Sequence, residues 1–198
     1  MKYLKLLLAT AVYALLLLGI YVLHVRYIPV NVVFYSAILD AVIATFLATF
    51  LIATIRWFKV FTRFETLQLC CIWLLLGYSF AISVPTVIDR SLSFYILEKL
   101  QQRGGGIRQD AFDQVFTQEY VKEHRLVDVR LTEQQQSGTI EIKEGCVKLT
   151  EWGQTIASGS RYFRAHFLPK QRLLMGQYSD ELTDPFRNSV ERSDYQCQ

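Results

Sequence analysis

Residues 6–25 read LLLATAVYALLLLGIYVLHV and contain no Asp, Glu, Lys or Arg. At 1.5 Å per residue, an uncharged helix of this length matches a hydrocarbon layer of about 30 Å. Lys2 and Lys5 precede the run, and it ends in YVLHVR rather than in a small-residue cleavage site, so it reads as an uncleaved anchor and not as a signal peptide. Two further stretches repeat the pattern. Between Arg26 and Arg56 the only charge is Asp40, with Pro29 marking the approach to a helix that begins near Val33. Thr66 to Ile88 is uncharged throughout. The chain is therefore read as three spans, at about residues 5–25, 33–55 and 66–88.

The remainder is different in kind. Over the whole chain of 198 residues 52% are hydrophobic and 20% charged, with mean hydropathy +0.21. Residues 1–89 hold 6 Lys/Arg against 3 Asp/Glu, whereas residues 90–198 hold 15 against 15. The polar half is thus neutral and lacks the cationic excess that nucleic acid rewards. Its aromatics, among them Tyr95, Phe112, Tyr120, Trp152 and Phe163, argue against a disordered tail. The domains expected are a transmembrane domain over 1–89, a small extramembrane domain over 90–168 and a C-terminal arm over 169–198.

Three spans place the termini on opposite sides. With the N-terminus in the cytoplasm, Lys2, Lys5, Arg56, Lys59 and Arg63 all face inward and the first loop exposes only Arg26. The positive-inside rule therefore predicts an inner (plasma) membrane protein whose C-terminal domain is extracytoplasmic.

Within the spans, Ala37, Ala41, Ala44 and Ala48 recur at steps of 4, 3 and 4, the spacing of one helical stripe. Gly77 and Ala81 offer the matching small residues on the third span, which predicts close packing of the second and third helices. Asp40 falls on the packed side of that stripe and needs a partner group. Asp89 and Arg90 lie where the third span emerges on the same side, so an Asp40–Arg90 ion pair is expected. These three residues form the candidate intramembrane or interfacial polar site, with contact to a partner membrane protein, or catalysis, as the functional alternatives to a purely structural pair.

In the polar half, Ser91 is a candidate N-cap for a helix carrying Leu92, Ile96 and Leu100 at apolar spacing. A short helix with Phe112, Val115 and Phe116 follows, then a helix over Glu119 to Gln136. Next come two strands, TIEI and CVKL, around a Lys143–Glu144–Gly145 turn. A last helix starting near Thr150 is expected to bury Trp152, Ile156 and Phe163. The stretch SGTIEIKEGCVKLTEWGQTIA, with Gly138, Ile140, Leu149, Thr150, Gly153 and Ile156, resembles the wing of the winged helix-turn-helix superfamily. The resemblance covers residues 91–168 and implies an α+β winged-helix-like domain. Members of that superfamily often read DNA with the third helix. Here that helix offers Lys122, Arg125 and Arg130 against Glu119, Glu123, Asp128 and Glu133, a balance that favours protein contact.

No catalytic constellation, metal cluster or cofactor motif is found. His24, His124 and His166 are scattered, Cys70 and Cys71 lie inside a span, and the glycines at 104–106 lack the Lys and Ser/Thr of a phosphate loop. Cys146 and Cys197 are the only cysteines outside the spans and are candidates for a disulfide if that half is extracytoplasmic. The function expected is a non-catalytic accessory or assembly subunit of an envelope-associated inner-membrane complex. It would bind a membrane protein partner or a second copy of itself within the lipid bilayer. Two alternatives are a membrane-tethered DNA-binding regulator, which needs the opposite topology, and a small membrane enzyme or enzyme subunit acting on a lipid-linked envelope substrate.

Overall fold

The structure is a computed structural model and describes residues 2–187 and residue 197. It divides into two compact units, Met1–Glu123 and His124–Gln198.

The first unit contains three helices long and apolar enough to cross a membrane: α1 (Lys2–Tyr27), α2 (Val33–Thr54) and α3 (Arg63–Arg90). The loop between α2 and α3 carries a single 3-10 turn, Arg56–Phe58, with Lys5 Nζ lying 4.8 Å over the Trp57 ring and donating to the Trp57 carbonyl. Thr62 then caps α3 reciprocally with Glu65, so two otherwise unpaired backbone N–H groups are satisfied at the helix start. Near its other end α3 widens into a π turn, Ile82–Thr86, around Pro85. Proline has no N–H to give the carbonyl four residues back, and the wider turn is how the helix continues past it.

Small residues set the spacing of the bundle. Ala37, Ala41, Ala44 and Ala48 on α2 are all buried, as are Gly77 and Ala81 on α3, and Ala41 meets Gly77. A Cβ on Gly77 would lie 2.5 Å from Ala41 Cβ and 2.6 Å from the Tyr13 hydroxyl, so only glycine allows this approach. α1 is a full member of the core. Tyr13 stacks on Trp73 with ring centroids 5.3 Å apart and donates to the Trp73 carbonyl at 2.6 Å, while Trp73 Nε1 donates to Thr10 Oγ1. Leu7, Leu15, Phe46, Phe50, Leu67 and Leu75 point outward, as side chains facing lipid tails would.

Two further helical segments complete this unit: α4 (Leu92–Gln102), capped by Ser91, and α5 over 112–123, which contains a π-helical stretch at Val115–Tyr120. The buried face of α4 differs from the one expected. Leu92 is exposed, Ile96 and Leu100 are half-buried, and the buried residues are Tyr95 and Lys99. Those two reach Glu119 and Glu123 on α5, a polar contact that an apolar helical pattern does not register.

The second unit begins at a break. Instead of one helix over 119–136, the chain turns at Arg125, which has φ 44°, and restarts as α6 (Leu126–Gln136). A left-handed residue cannot propagate a right-handed helix. Strands β1 (Ile140–Lys143) and β2 (Cys146–Leu149) pair antiparallel through a two-residue loop in which Glu144 and Gly145 both have positive φ, the turn whose twist matches a hairpin. Helix α7 (Glu151–Phe167) follows, with the Thr150 hydroxyl accepting from the Gly153 N–H. Gly153 seats the start of α7 against the hairpin, because a Cβ there would collide with the Thr139 carbonyl. A small hairpin, β3 (Arg172–Leu174) with β4 (Gln177–Ser179), comes last.

Trp152, Ile156 and Phe163, expected inward, are 56%, 46% and 55% exposed. Helical spacing places them on one face, and among the described residues of the unit that face stays exposed. The order of helices and hairpin expected for a winged helix is present, yet its first two helices belong to the first unit and the rest to the second. A winged-helix domain is not confirmed. The chain is a mostly helical protein with three apolar helices suited to membrane insertion and two small antiparallel hairpins.

Candidate functional site

The polar group inside the membrane segment is built from two helices. Asp40 sits on the Ala stripe of α2 with 1% of its surface exposed. Across from it, in the last two turns of α1, His24 Nδ1 donates to Asp40 Oδ1 at 2.6 Å. A carboxylate in a low-dielectric interior is tolerated only with such compensation. Its second oxygen is buried and makes no hydrogen bond among the described residues. The partner that the structure gives Asp40 is thus His24 on α1, where Arg90 was expected. Asp89 and Arg90 fall in the last turn of α3, beyond the π turn.

His24 is the residue that sequence reasoning missed. It was read as one of three scattered histidines, although a histidine in the closing turns of one span and a lone aspartate early in the next, with a short loop between, bring a donor and an acceptor to the same depth. Among the described residues no group of three or more His, Cys, Asp or Glu gathers to hold a metal ion. The pair ties α1 to α2; no hydroxyl or thiol nucleophile bonds to it among the described residues.

A second polar cluster lies outside the spans. Lys99 Nζ bridges Glu119 Oε2 at 2.7 Å and Glu123 Oε1 at 2.6 Å, and the Tyr95 hydroxyl donates to Glu123 Oε2 at 2.9 Å. Arg103 adds a contact to Glu119 at 3.1 Å. The two carboxylates hold the Lys99 ammonium charged well beyond its ordinary range, Glu119 first and Glu123 second. In return Lys99, aided by Arg103 at Glu119 and Tyr95 at Glu123, lowers both carboxyl groups below the usual range. Burial and the neighbouring Glu123 push the Tyr95 phenol up. This cluster clamps α5 onto α4.

The second unit presents an exposed apolar surface of its own. Cross-strand pairs Ile140 with Leu149 and Ile142 with Val147 put four apolar side chains on one face of the hairpin, and Glu141, Lys143, Cys146 and Lys148 on the other. Ile142, Val147 and Leu149 are 40%, 44% and 51% exposed. Cys146 forms a disulfide with Cys197, with Cα atoms 6.1 Å apart. Because Cys146 is on the polar face, the bond holds Cys197 on that side of the hairpin. On α6, Arg125 pairs with Asp128 and Arg130 with Glu133, so the helix that a DNA reader would use satisfies its own arginines.

No family model matches the chain, and no curated protein or solved structure is significantly similar to it.

Proposed function

We propose that the protein is a non-catalytic accessory or assembly subunit of an inner-membrane, envelope-associated complex. Its spans anchor it, and its second unit, on the extracytoplasmic side, binds a partner protein. One observation carries this reading: on the apolar face of the hairpin Ile142, Val147 and Leu149 are exposed and Ile140 is only half-buried, and within the described part of 124–198 only Thr139 and Gly153 are buried. A unit of that size without its own core gains stability by covering such a face on another molecule. The disulfide supports an oxidising compartment. The internal pairing of Arg125 and Arg130 supports protein contact over DNA.

The test is site-specific photocrosslinking in native membranes. A photoreactive residue at Ile142 should give a discrete protein adduct that is lost when Val147→Asp is added, with expression and membrane insertion retained. The same probe at Glu141, on the opposite face, should give none. Equal adducts from both faces, or an adduct indifferent to Val147→Asp, would refute the assignment.

A further inference from the structure

Helix α7 carries a stripe separate from the hairpin face. Trp152, Ile156, Phe163 and Phe167 follow one another at steps of 4, 7 and 4, which keeps them within a narrow arc of the helix, and all are exposed, Phe167 to 65%. Gly159 and Ser160 leave a shallow groove between Ile156 and Phe163. Opposite the stripe stand Gln154, Ser158 and Arg161, with Arg164 on the flank.

Charge is what distinguishes this helix from the rest of the polar half. Residues 148–172 hold Lys148, Arg161, Arg164, Lys170 and Arg172 against the single acid Glu151, while the remainder of residues 90–198 holds 10 Lys/Arg against 14 Asp/Glu. An aromatic stripe backed by basic residues is the pattern of a helix that lies in a bilayer interface, its rings among the acyl boundary and its cations at the lipid phosphates. Three apolar helices of the same chain keep a bilayer within tether reach at all times, which raises its effective concentration above that of any diffusing partner.

We infer that α7 is an interfacial helix that docks on an anionic phospholipid surface through Trp152, Ile156, Phe163 and Phe167, with Arg161 and Arg164 supplying the preference for negative headgroups. This goes beyond the proposed partner-binding role, which rests on the hairpin face.

The experiment uses the full chain, with Cys70 and Cys71 replaced by Ala and the Cys146–Cys197 disulfide intact, reconstituted in vesicles. A nitroxide is placed at Ile156, Phe163 or Ser158, and its collisions with oxygen and with a water-soluble nickel chelate are compared. In vesicles containing phosphatidylglycerol, labels at Ile156 and Phe163 should meet oxygen and be shielded from the chelate, while the label at Ser158 meets the chelate. Arg161→Gln with Arg164→Gln should lower the ratio of docked to free helix by roughly 25-fold, taking a fivefold loss for each cation near an anionic surface. Free access of the chelate to the stripe would overturn the inference. Shielding of the stripe from both reagents would also overturn it, since that marks contact with protein, as would an unchanged ratio in the arginine variant. Adduct formation at Ile142 is read separately, so the failure of either claim is distinguishable from the failure of the other.

Discussion

Asp40 and His24 are the residues on which the three-helix bundle depends most sharply. Each alone in the interior is a liability; bonded at 2.6 Å they tie α1 to α2. Removing one partner of such a pair strands the other without compensation, and removing both takes away the stranded group. Asp40→Leu and His24→Leu are each expected to lower the melting temperature in detergent, and the double variant to lose less than the sum, with a coupling of about 1–3 kcal/mol. Strictly additive losses would show that the bond contributes nothing. Arg90→Leu serves as the control and should show no coupling to Asp40. The need for a partner was legible from an isolated carboxylate in an otherwise uncharged span. The partner's identity was not, because sequence spacing compares positions along one helix, and this bond joins two. Gly77 shows the opposite case: a small residue opposite an alanine stripe implies close approach wherever the helices meet, and Ala41 is where they do.

At the scale of elements, the α4–α5 clamp makes a pH dependence. Glu119 and Glu123 are held below their ordinary value of 4.5 by Lys99, so their contribution is fully present above that value and is lost as pH falls through the lowered values. Lys99 is raised above its ordinary 10.5, so its contribution is fully present below that value and fades only as pH rises past it. Stability of the first unit is therefore expected to be flat from about pH 5 to 10 and to drop on the acid side. Circular-dichroism melts of the full chain in detergent test this, with Lys99→Met as comparison. The variant should be less stable near neutrality and lose less on acidification; an acid limb identical to that of the parent would rule out the clamp. The same helices show where periodicity misleads. Leu92, Ile96 and Leu100 mark an apolar face correctly, but the face that becomes buried is decided by what α5 brings opposite, and it brings two carboxylates. The hairpin turn and the caps at Ser91 and Thr150 were readable because they depend on neighbours within four residues.

For the whole molecule, three long apolar stretches, two of them uncharged and the second interrupted only by Asp40, made the three candidate spans evident. Burial in the second unit was misjudged for a related reason. An amphipathic helix announces that one face is apolar, and Trp152, Ile156 and Phe163 form such a face, but the pattern is the same whether a protein core, a partner or a lipid surface covers it. The exposed hairpin side chains Ile142, Val147 and Leu149 are what support the proposed anchored binding subunit. The account's central claim is that this surface operates outside the cytoplasm while the loop between α2 and α3 remains inside. It is tested most directly by thiol labelling of intact cells, with single cysteines introduced at Ser160 and at Lys59 and an impermeant maleimide as the reagent. The predicted result is labelling at Ser160 and protection at Lys59 until the membrane is opened; labelling at Lys59 with protection at Ser160 would contradict it.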